Sequence, residues 1–441
     1  MKDFLGIYVA CSLALACSAS HSDRGQCCLP SGECVEAGTR DPGNPCRLCD
    51  PDVSTARYSN VWSTTCGGRE PRVLYAPPGV VDFGNDVSLG PDADGDGIPD
   101  LAVAARRHDS EPSAVFLYSG ATLELIRRWD DLPPEFHGPA VSLGPDADGD
   151  GLGEVLVAID AGIDTPRTVY LLSSGTGEVL WTWTGELGCR IGGPLRSVLG
   201  PDIDGDEVAE ALFWSPGSPD PVSGECHSTV VLVSGRSGRE LRRWSGPPEP
   251  NDADFTSDLN GDGVADIVLG FPGEEGDPGE VRIESSATAE RLVEWRGSSA
   301  RPALGRAVWG VAGVHEDLGA LSLAFLPADP PTERTVALAL GTDGSVTPLG
   351  PAWWLSVAPD LTGDGRSDVL VSDRDGIAVR TCCPAREVRR FTGTVDGEDI
   401  GGAALSAGAD IDGDGRADIA VGDPWPGLDR DGRVVLLLSG S

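Results

Sequence analysis

Apolar residues along this chain come in short runs, and few segments carry the spacing of a long amphipathic helix. Runs such as Leu101-Ala102-Val103, Val155-Leu156-Val157, Val115-Phe116-Leu117-Tyr118 and Val230-Val231-Leu232-Val233 are bounded by Gly, Pro, Ser and Asp. Short apolar runs between turn residues predict β-strands. The runs recur in a fixed order. A Gly-rich apolar segment (DFGNDVSLGPD, FHGPAVSLGPD, DIGGAALSAGAD) leads into an acidic loop, and a short strand such as Ile419-Ala420-Val421 follows. A variable loop, a third strand and a Ser-Gly turn come next. A fourth strand then ends in Trp129, Trp183, Trp244, Trp295 or Phe391.

The acidic loop fixes the period. It reads DADGDGIPD from Asp92, DADGDGLGE from Asp146, DIDGDEVAE from Asp202, DLNGDGVAD from Asp258, DLTGDGRSD from Asp360 and DIDGDGRAD from Asp410. Successive starts lie 54, 56, 56, 102 and 50 residues apart. The long interval predicts an eroded copy near Val314 (VHEDLGALS), whose strand pattern survives while its carboxylates do not. Four short strands in a unit of this length point to an all-β fold, a seven-bladed β-propeller of four-stranded blades over residues 71–441. The last unit stops after its third strand, so Val73-Leu74-Tyr75 is expected to supply the missing fourth and close the ring.

Four of the six loops place carboxylates at the first, third, fifth and ninth positions; all have Gly at the fourth and five have it at the sixth. Alternate carboxylates on a sharply turned backbone converge on one point, and position seven would add its carbonyl. An all-oxygen, highly charged, roomy cage suits Ca²⁺. The expected ligands are Asp92, Asp94, Asp96, Ile98 and Asp100 in the first loop, and Asp146, Asp148, Asp150, Leu152 and Glu154 in the second. Asp202, Asp204, Asp206, Val208 and Glu210 form the third set, and Asp258, Asn260, Asp262, Val264 and Asp266 the fourth. Asp360, Thr362, Asp364, Arg366 and Asp368, then Asp410, Asp412, Asp414, Arg416 and Asp418, complete six sites for structural Ca²⁺. Position twelve is Val103, Val157, Phe213, Leu269, Val371 or Val421, so no EF-hand is present. Glu207 stands where the turn needs Gly, and Asn260 and Thr362 each replace a carboxylate. A plain hairpin-turn reading explains the glycines and leaves the converging charges unexplained.

Composition narrows the function. A net charge of −37 argues against nucleic acid and against anionic lipid, and 40% hydrophobic residues suffice for a packed core. Residues 1–17 read as an export signal, with an apolar run over 4–16 that is too short to span a bilayer. Ala14-Leu15-Ala16-Cys17 resembles a lipobox, which would place a lipid on Cys17. Ordinary secretion is the alternative, so the mature chain is expected at the cell surface, in the outer membrane, or secreted. Residues 18–70 hold Cys27, Cys28, Cys34, Cys46, Cys49 and Cys66, read as a small disulfide module, with a zinc site at Cys46-x-x-Cys49 as the rival.

The sequence resembles FG-GAP repeats. Phe83-Gly84 or Ile400-Gly401 precedes the loop, the loop reads D-x-D-G-D-G-x-x-D, and Gly270-Phe271-Pro272 or Gly422-Asp423-Pro424 follows the strand. The resemblance covers about residues 71–441 and implies the propeller of integrin α-chain heads and bacterial surface proteins, with Ca²⁺ at loop positions one, three, five and nine. It also implies ligand binding on the face opposite the loops, here segments 106–113, 215–227, 270–279 and 422–432. On that placement Cys189 and Cys226, in adjacent loops, are expected to form a disulfide, and Cys382-Cys383 a vicinal one or a link to the N-terminal module. The recurrent Trp residues are packing residues. Trp309, Trp353, Trp354 and Trp425 break the pattern, the first three near the channel mouth.

No GxSxG, HExxH or GxxxxGK[ST] occurs, and the five His are scattered. The expected function is an exported, non-enzymatic, calcium-stabilised scaffold for binding or adhesion, with an unidentified protein or glycan ligand. A lectin-like propeller and an enzyme with an unrecognised site are the alternatives.

Overall fold

The computed structural model describes residues 71–438 except 107–112, 131, 133–137, 160–166, 186–194, 216–227, 247, 274–277, 299–303, 312–317, 327–333, 353, 362–365, 374–375, 382–385, 392–393, 396–397, 400–403 and 425–431. Of residues 1–70 it describes the strands Gln26–Cys28, Cys34–Glu36, Arg40–Asp41, Asn44–Leu48 and Ser59–Asn60. The signal segment, the cysteine side chains of the N-terminal module, Cys189, Cys226, Cys382, Cys383, Trp353 and Trp425 therefore lie outside the described residues.

Six sheets each consist of four consecutive antiparallel strands. Blade one comprises Phe83–Gly90, Asp100–Ala105, Ala114–Tyr118 and Leu125–Trp129. The first and last strands of the next five blades are Ala140–Gly144 and Val179–Gly185, Arg196–Leu199 and Glu240–Ser245, Asp252–Phe255 and Arg291–Arg296, Ala307–Gly310 and Val346–Pro351, and Trp354–Ala358 and Arg386–Phe391. A further four-stranded sheet is composite. Ala404–Ala407, Ile419–Asp423 and Arg433–Leu437 are joined on their outer edge by Arg72–Tyr75, with Val434 opposite Leu74 and Val435 opposite Val73. The described residues thus hold seven four-stranded sheets, six continuous and one closed by the strand that the sequence assigns to that place. The unit with the eroded loop forms a complete sheet, with Leu318–Leu326 as its second strand.

The continuous apolar character of the second strands follows from burial on both faces. Leu101, Val103 and Ala105 pack in one core with Ala420, Val434 and Leu436 of the composite blade. Ala102 and Ala104 pack on the other side with Val155, Val157 and Ile159 of blade two. Period-two alternation therefore sends successive residues into two different inter-blade cores. The fourth strands border solvent, as the exposed Leu125 and Val179 show.

Polar contacts tie each blade to the next at both radii. On the innermost strands, the residue four before the loop accepts a backbone N–H from the neighbouring blade. Leu89 N donates to Ser406 Oγ (2.9 Å), Leu143 N to Ser88 Oγ (3.0 Å), Leu199 N to Ser142 Oγ (3.1 Å) and Gly310 N to Asp254 Oδ2 (3.0 Å). Gly90, Gly144 and Gly200 let these strands approach closely: a Cβ on Gly144 would sit 2.5 Å from Leu199. On the outermost strands, arginines clamp the turn between the next blade's third and fourth strands. Arg127 donates to the carbonyls of Ser174, Thr176 and Gly175, and Arg242 to those of Ser285 and Ala287. Arg72 does the same to Gly120 and Ala121, so the closing strand reproduces the inter-blade contact of the continuous blades. Trp129 and Trp295 donate from Nε1 to Gly177 and Gly341 of the following blade, which gives the recurrent tryptophans their packing role. Trp181, which the sequence pattern did not single out, makes the same bond to Gly235.

Candidate metal centres and the channel mouth

Each acidic loop joins the innermost strand of a blade to the second, so its ninth residue opens the second strand or immediately precedes it and is buried there. Asp100, Glu154, Glu210, Asp266, Asp368 and Asp418 are all 0% exposed. One oxygen of each accepts the N–H of the loop's second residue: Ala93 (2.7 Å), Ala147 (2.5 Å), Ile203 (2.5 Å), Leu259 (2.7 Å), Leu361 (2.8 Å) and Ile411 (3.0 Å). The other oxygen of Asp100 accepts Gly120 N–H from the Ser-Gly turn (2.9 Å). Glu154 Oε1, Glu210 Oε1 and Asp266 Oδ1 are buried and have no hydrogen-bond partner among the described residues.

The remaining carboxylates are held by the turn itself. Asp92 accepts N–H groups from Gly95 and Gly97, and Asp146 does so from Gly149 and Gly151, because Gly at both positions turns the backbone inward with φ near +90°. Position seven engages through its N–H, which Ile98, Leu152, Val208, Val264 and Arg416 donate to the position-five carboxylates of Asp96, Asp150, Asp206, Asp262 and Asp414.

Among the described residues, two loops bring all four expected carboxylates together and two bring three, without Asp100 and Asp414. Asp146, Asp148, Asp150 and Glu154 each present an oxygen within 4.8 Å of the others, as do Asp202, Asp204, Asp206 and Glu210, then Asp92, Asp94 and Asp96, then Asp410, Asp412 and Asp418. The loop at Asp258 keeps the turn, and its Asn260 amide donates to Asp262 Oδ2 (2.9 Å). In the loop at Asp360, residues 362–365, including Thr362 and Asp364, lie outside the described residues, as do residues 312–317 of the eroded copy. Glu207 holds a left-handed φ of 70°, the strain expected of a side chain at a glycine position. Arg236 pairs with Asp206 (3.1 Å) and donates to its carbonyl, so this loop carries a cation of its own.

These arrangements fit a bound cation. Burial pushes Glu154 up to about 8 and Glu210 to about 7, against the Ala147 and Ile203 N–H groups, and their loop aspartates push further. Burial likewise raises Asp100 to about 6. A buried carboxylate oxygen with neighbouring negative charges and no donor is stable only beside a proton or a cation.

The other end of the innermost strands carries different chemistry. Asp86 lies six residues before Asp92, roughly 20 Å along an extended strand. A cavity of about 480 Å³ opens there in the channel mouth. The same position is Arg196, Asp252 and Trp354 in blades three, four and six, whereas Ala140, Val308 and Ala404 fill it elsewhere. Asp86 Oδ2 accepts Val141 N–H (2.9 Å), and Asp252 Oδ2 accepts Val308 N–H (2.9 Å). The Arg196 charge favours the ionised form of both carboxylates, and its guanidinium lies 6.0 Å from the Trp354 ring centroid. Burial raises Asp86 and Asp252 to about 6, and Asp254 to about 7. Trp309 lines the cavity as well, so two of the unpatterned tryptophans stand where the sequence put them. The charged residues were missed. Their signal is a column of Asp, Arg and Trp among Ala and Val once the repeats are aligned on the loop.

Three segments match the FG-GAP repeat family, residues 83–118, 252–283 and 401–437. Comparison with curated proteins gives no match. Among solved structures, the chain is similar to BBS1N in the mercury-soaked complex with ARL6DN, with TM-score 0.52 and 10% identity over 86% of this chain and 98% of that one. It is similar to Kuenenia stuttgartiensis hydrazine synthase, with TM-score 0.52 and 12% identity over 83% and 99% of the two chains. For rhamnogalacturonan lyase YesW the TM-score is 0.46, with 14% identity over 87% and 78%. At these identities the likeness concerns the fold and leaves activity open. The chain carries FG-GAP repeats in three places on a β-propeller of four-stranded blades.

Proposed function

We propose that this protein is an exported, non-enzymatic propeller scaffold whose acidic loops bind Ca²⁺ and whose opposite channel mouth takes a ligand. The observation that carries the calcium reading is the buried ninth carboxylate, with one oxygen holding the loop and the other lacking a donor in Glu154, Glu210 and Asp266. Ca²⁺ supplies a divalent charge to an all-oxygen ligand set. The residues that would hold it are those at positions one, three, five and nine. The loops at Asp146 and Asp202 have full sets of four, and the second is already partly neutralised by Arg236.

The role of the ion is structural. Extracellular Ca²⁺ modules bind with Kd near ~10⁻⁴–10⁻³ M. At ten times Kd each site contributes about 1.4 kcal/mol, so six contribute roughly 8 kcal/mol. That is comparable with the ~5–15 kcal/mol net stability of a whole domain. Metal analysis after dialysis against Ca²⁺ tests the reading: several ions should remain per chain, with one fewer in Glu154→Gln. A preparation that retains none overturns it. Export and a lipid on Cys17 belong to the same proposal. Radiolabelled palmitate should enter the parent chain and not Cys17→Ala, and an unlabelled parent contradicts the anchor.

A further inference from the structure

The channel mouth holds charges that its own architecture does not balance. Asp86, Asp252 and Asp254 line the cavity together with Arg196 and Arg106. Arg196 is shared between Asp86 and Asp252. The charge acting on Asp254 is that of Asp252, which has the same sign. Each of these carboxylates is fixed in place, because one oxygen accepts a backbone N–H of the next blade, Val141, Val308 or Gly310. Serine does the same inter-blade work at Ser88, Ser142 and Ser406, so bridging blades does not require an ionisable group. Asp254 stands in that serine column and brings a charge into a cavity where burial opposes it.

The rest of the lining selects among ligands. The Trp354 indole is 37% exposed, and Trp309 lies on the neighbouring blade. Indole faces attract cations and carbon stems alike. A volume of about 480 Å³ is far more than a bare metal ion occupies and lies in the range of small-molecule sites. A neutral polyol could fill the space but would leave the carboxylate excess in place.

Resting on the reading that this mouth takes a ligand, we propose that it binds a small organic cation, an amine or guanidinium on a short carbon stem, seated between Asp252, Asp254 and the Trp354 indole. The cation supplies the charge that Arg196 and Arg106, two guanidinium groups against three carboxylates, leave unmatched, and the stem lies against the indoles.

The test is calorimetric titration of the full chain in Ca²⁺-containing buffer at pH 8 with agmatine and putrescine. Butanol serves as the neutral isostere and a panel of neutral monosaccharides as the rival class. Saturable binding of the amines and none of butanol is expected. Asp254→Asn, which keeps the acceptor for Gly310 N–H, and Trp354→Leu should each weaken amine binding at least tenfold, with the melting temperature not lowered in Asp254→Asn. Amine binding unchanged in both variants overturns the proposal. Saturable binding of a neutral sugar alone also overturns it but leaves the mouth a ligand site. Binding of neither class overturns both the cation and the small-ligand reading of the mouth.

Discussion

The two ends of the propeller's channel differ in how they use the repeat. At one end every intact unit presents the same acidic loop, with the same buried ninth carboxylate and the same N–H from position two. At the other end the equivalent column changes identity from blade to blade, from Asp86 to Ala140, Arg196, Asp252, Val308, Trp354 and Ala404. A feature that does the same work in blade after blade is repeated, although the blade with the eroded loop forms its sheet without it. A feature that recognises one ligand needs to occur once, in an asymmetric arrangement. On the function proposed above, the repeated end is architectural and the varied end specific.

The comparison breaks first at a single loop. Glu154→Ala removes the buried acceptor of Ala147 N–H and, on the function proposed above, a Ca²⁺ ligand, and should destabilise the chain by about 2–4 kcal/mol in urea denaturation with Ca²⁺ present. An effect below about 0.5 kcal/mol would make this loop a turn with no structural load.

The varied end should respond in the opposite direction. Asp254 is raised to about 7 in the folded chain, above its unfolded value near 4, mainly by burial. The folded state then holds the proton more tightly, so stability falls as pH rises from about 4 through 7. Asp254→Asn removes that penalty and should raise the melting temperature at pH 8, by the equivalent of ~1–3 kcal/mol after allowance for screening at the mouth, with no gain at pH 4. A variant less stable than the parent at pH 8 would place Asp254 with the architectural residues.

Within the repeated end the loops should differ. Glu207 occupies a left-handed position, so Glu207→Gly should stabilise by about 1 kcal/mol in thermal melts. No change would mean that the turn is relaxed by other contacts. The smallest effect concerns the bridges: Ser142→Ala should cost about 0.5–1.5 kcal/mol by leaving Leu199 N–H without its acceptor.

The acidic loops and the closing strand were legible because each is written in several copies or in a missing one. Alternating carboxylates around Gly95 and Gly97 specify a turn and a charge cluster without knowledge of the fold, and an orphan Val73-Leu74-Tyr75 matches a unit short by one strand. The mouth was not legible, because Asp86, Arg196, Asp252 and Trp354 are scattered in sequence and meet only when the blades stand around an axis. Trp181 escaped for a related reason: its partner Gly235 lies on the next blade, and strand alternation alone does not tell it from Trp183.

The central claim is that metal charge offsets mutual repulsion in the loops and lets the blades assemble. Thermal melting of the full chain across a Ca²⁺ titration, with EGTA and with Mg²⁺ at equal ionic strength, tests it most directly. The account predicts a transition that climbs steadily with Ca²⁺ concentration, responds weakly to Mg²⁺ and drops in EGTA. One and the same melting temperature in all three solutions would contradict it.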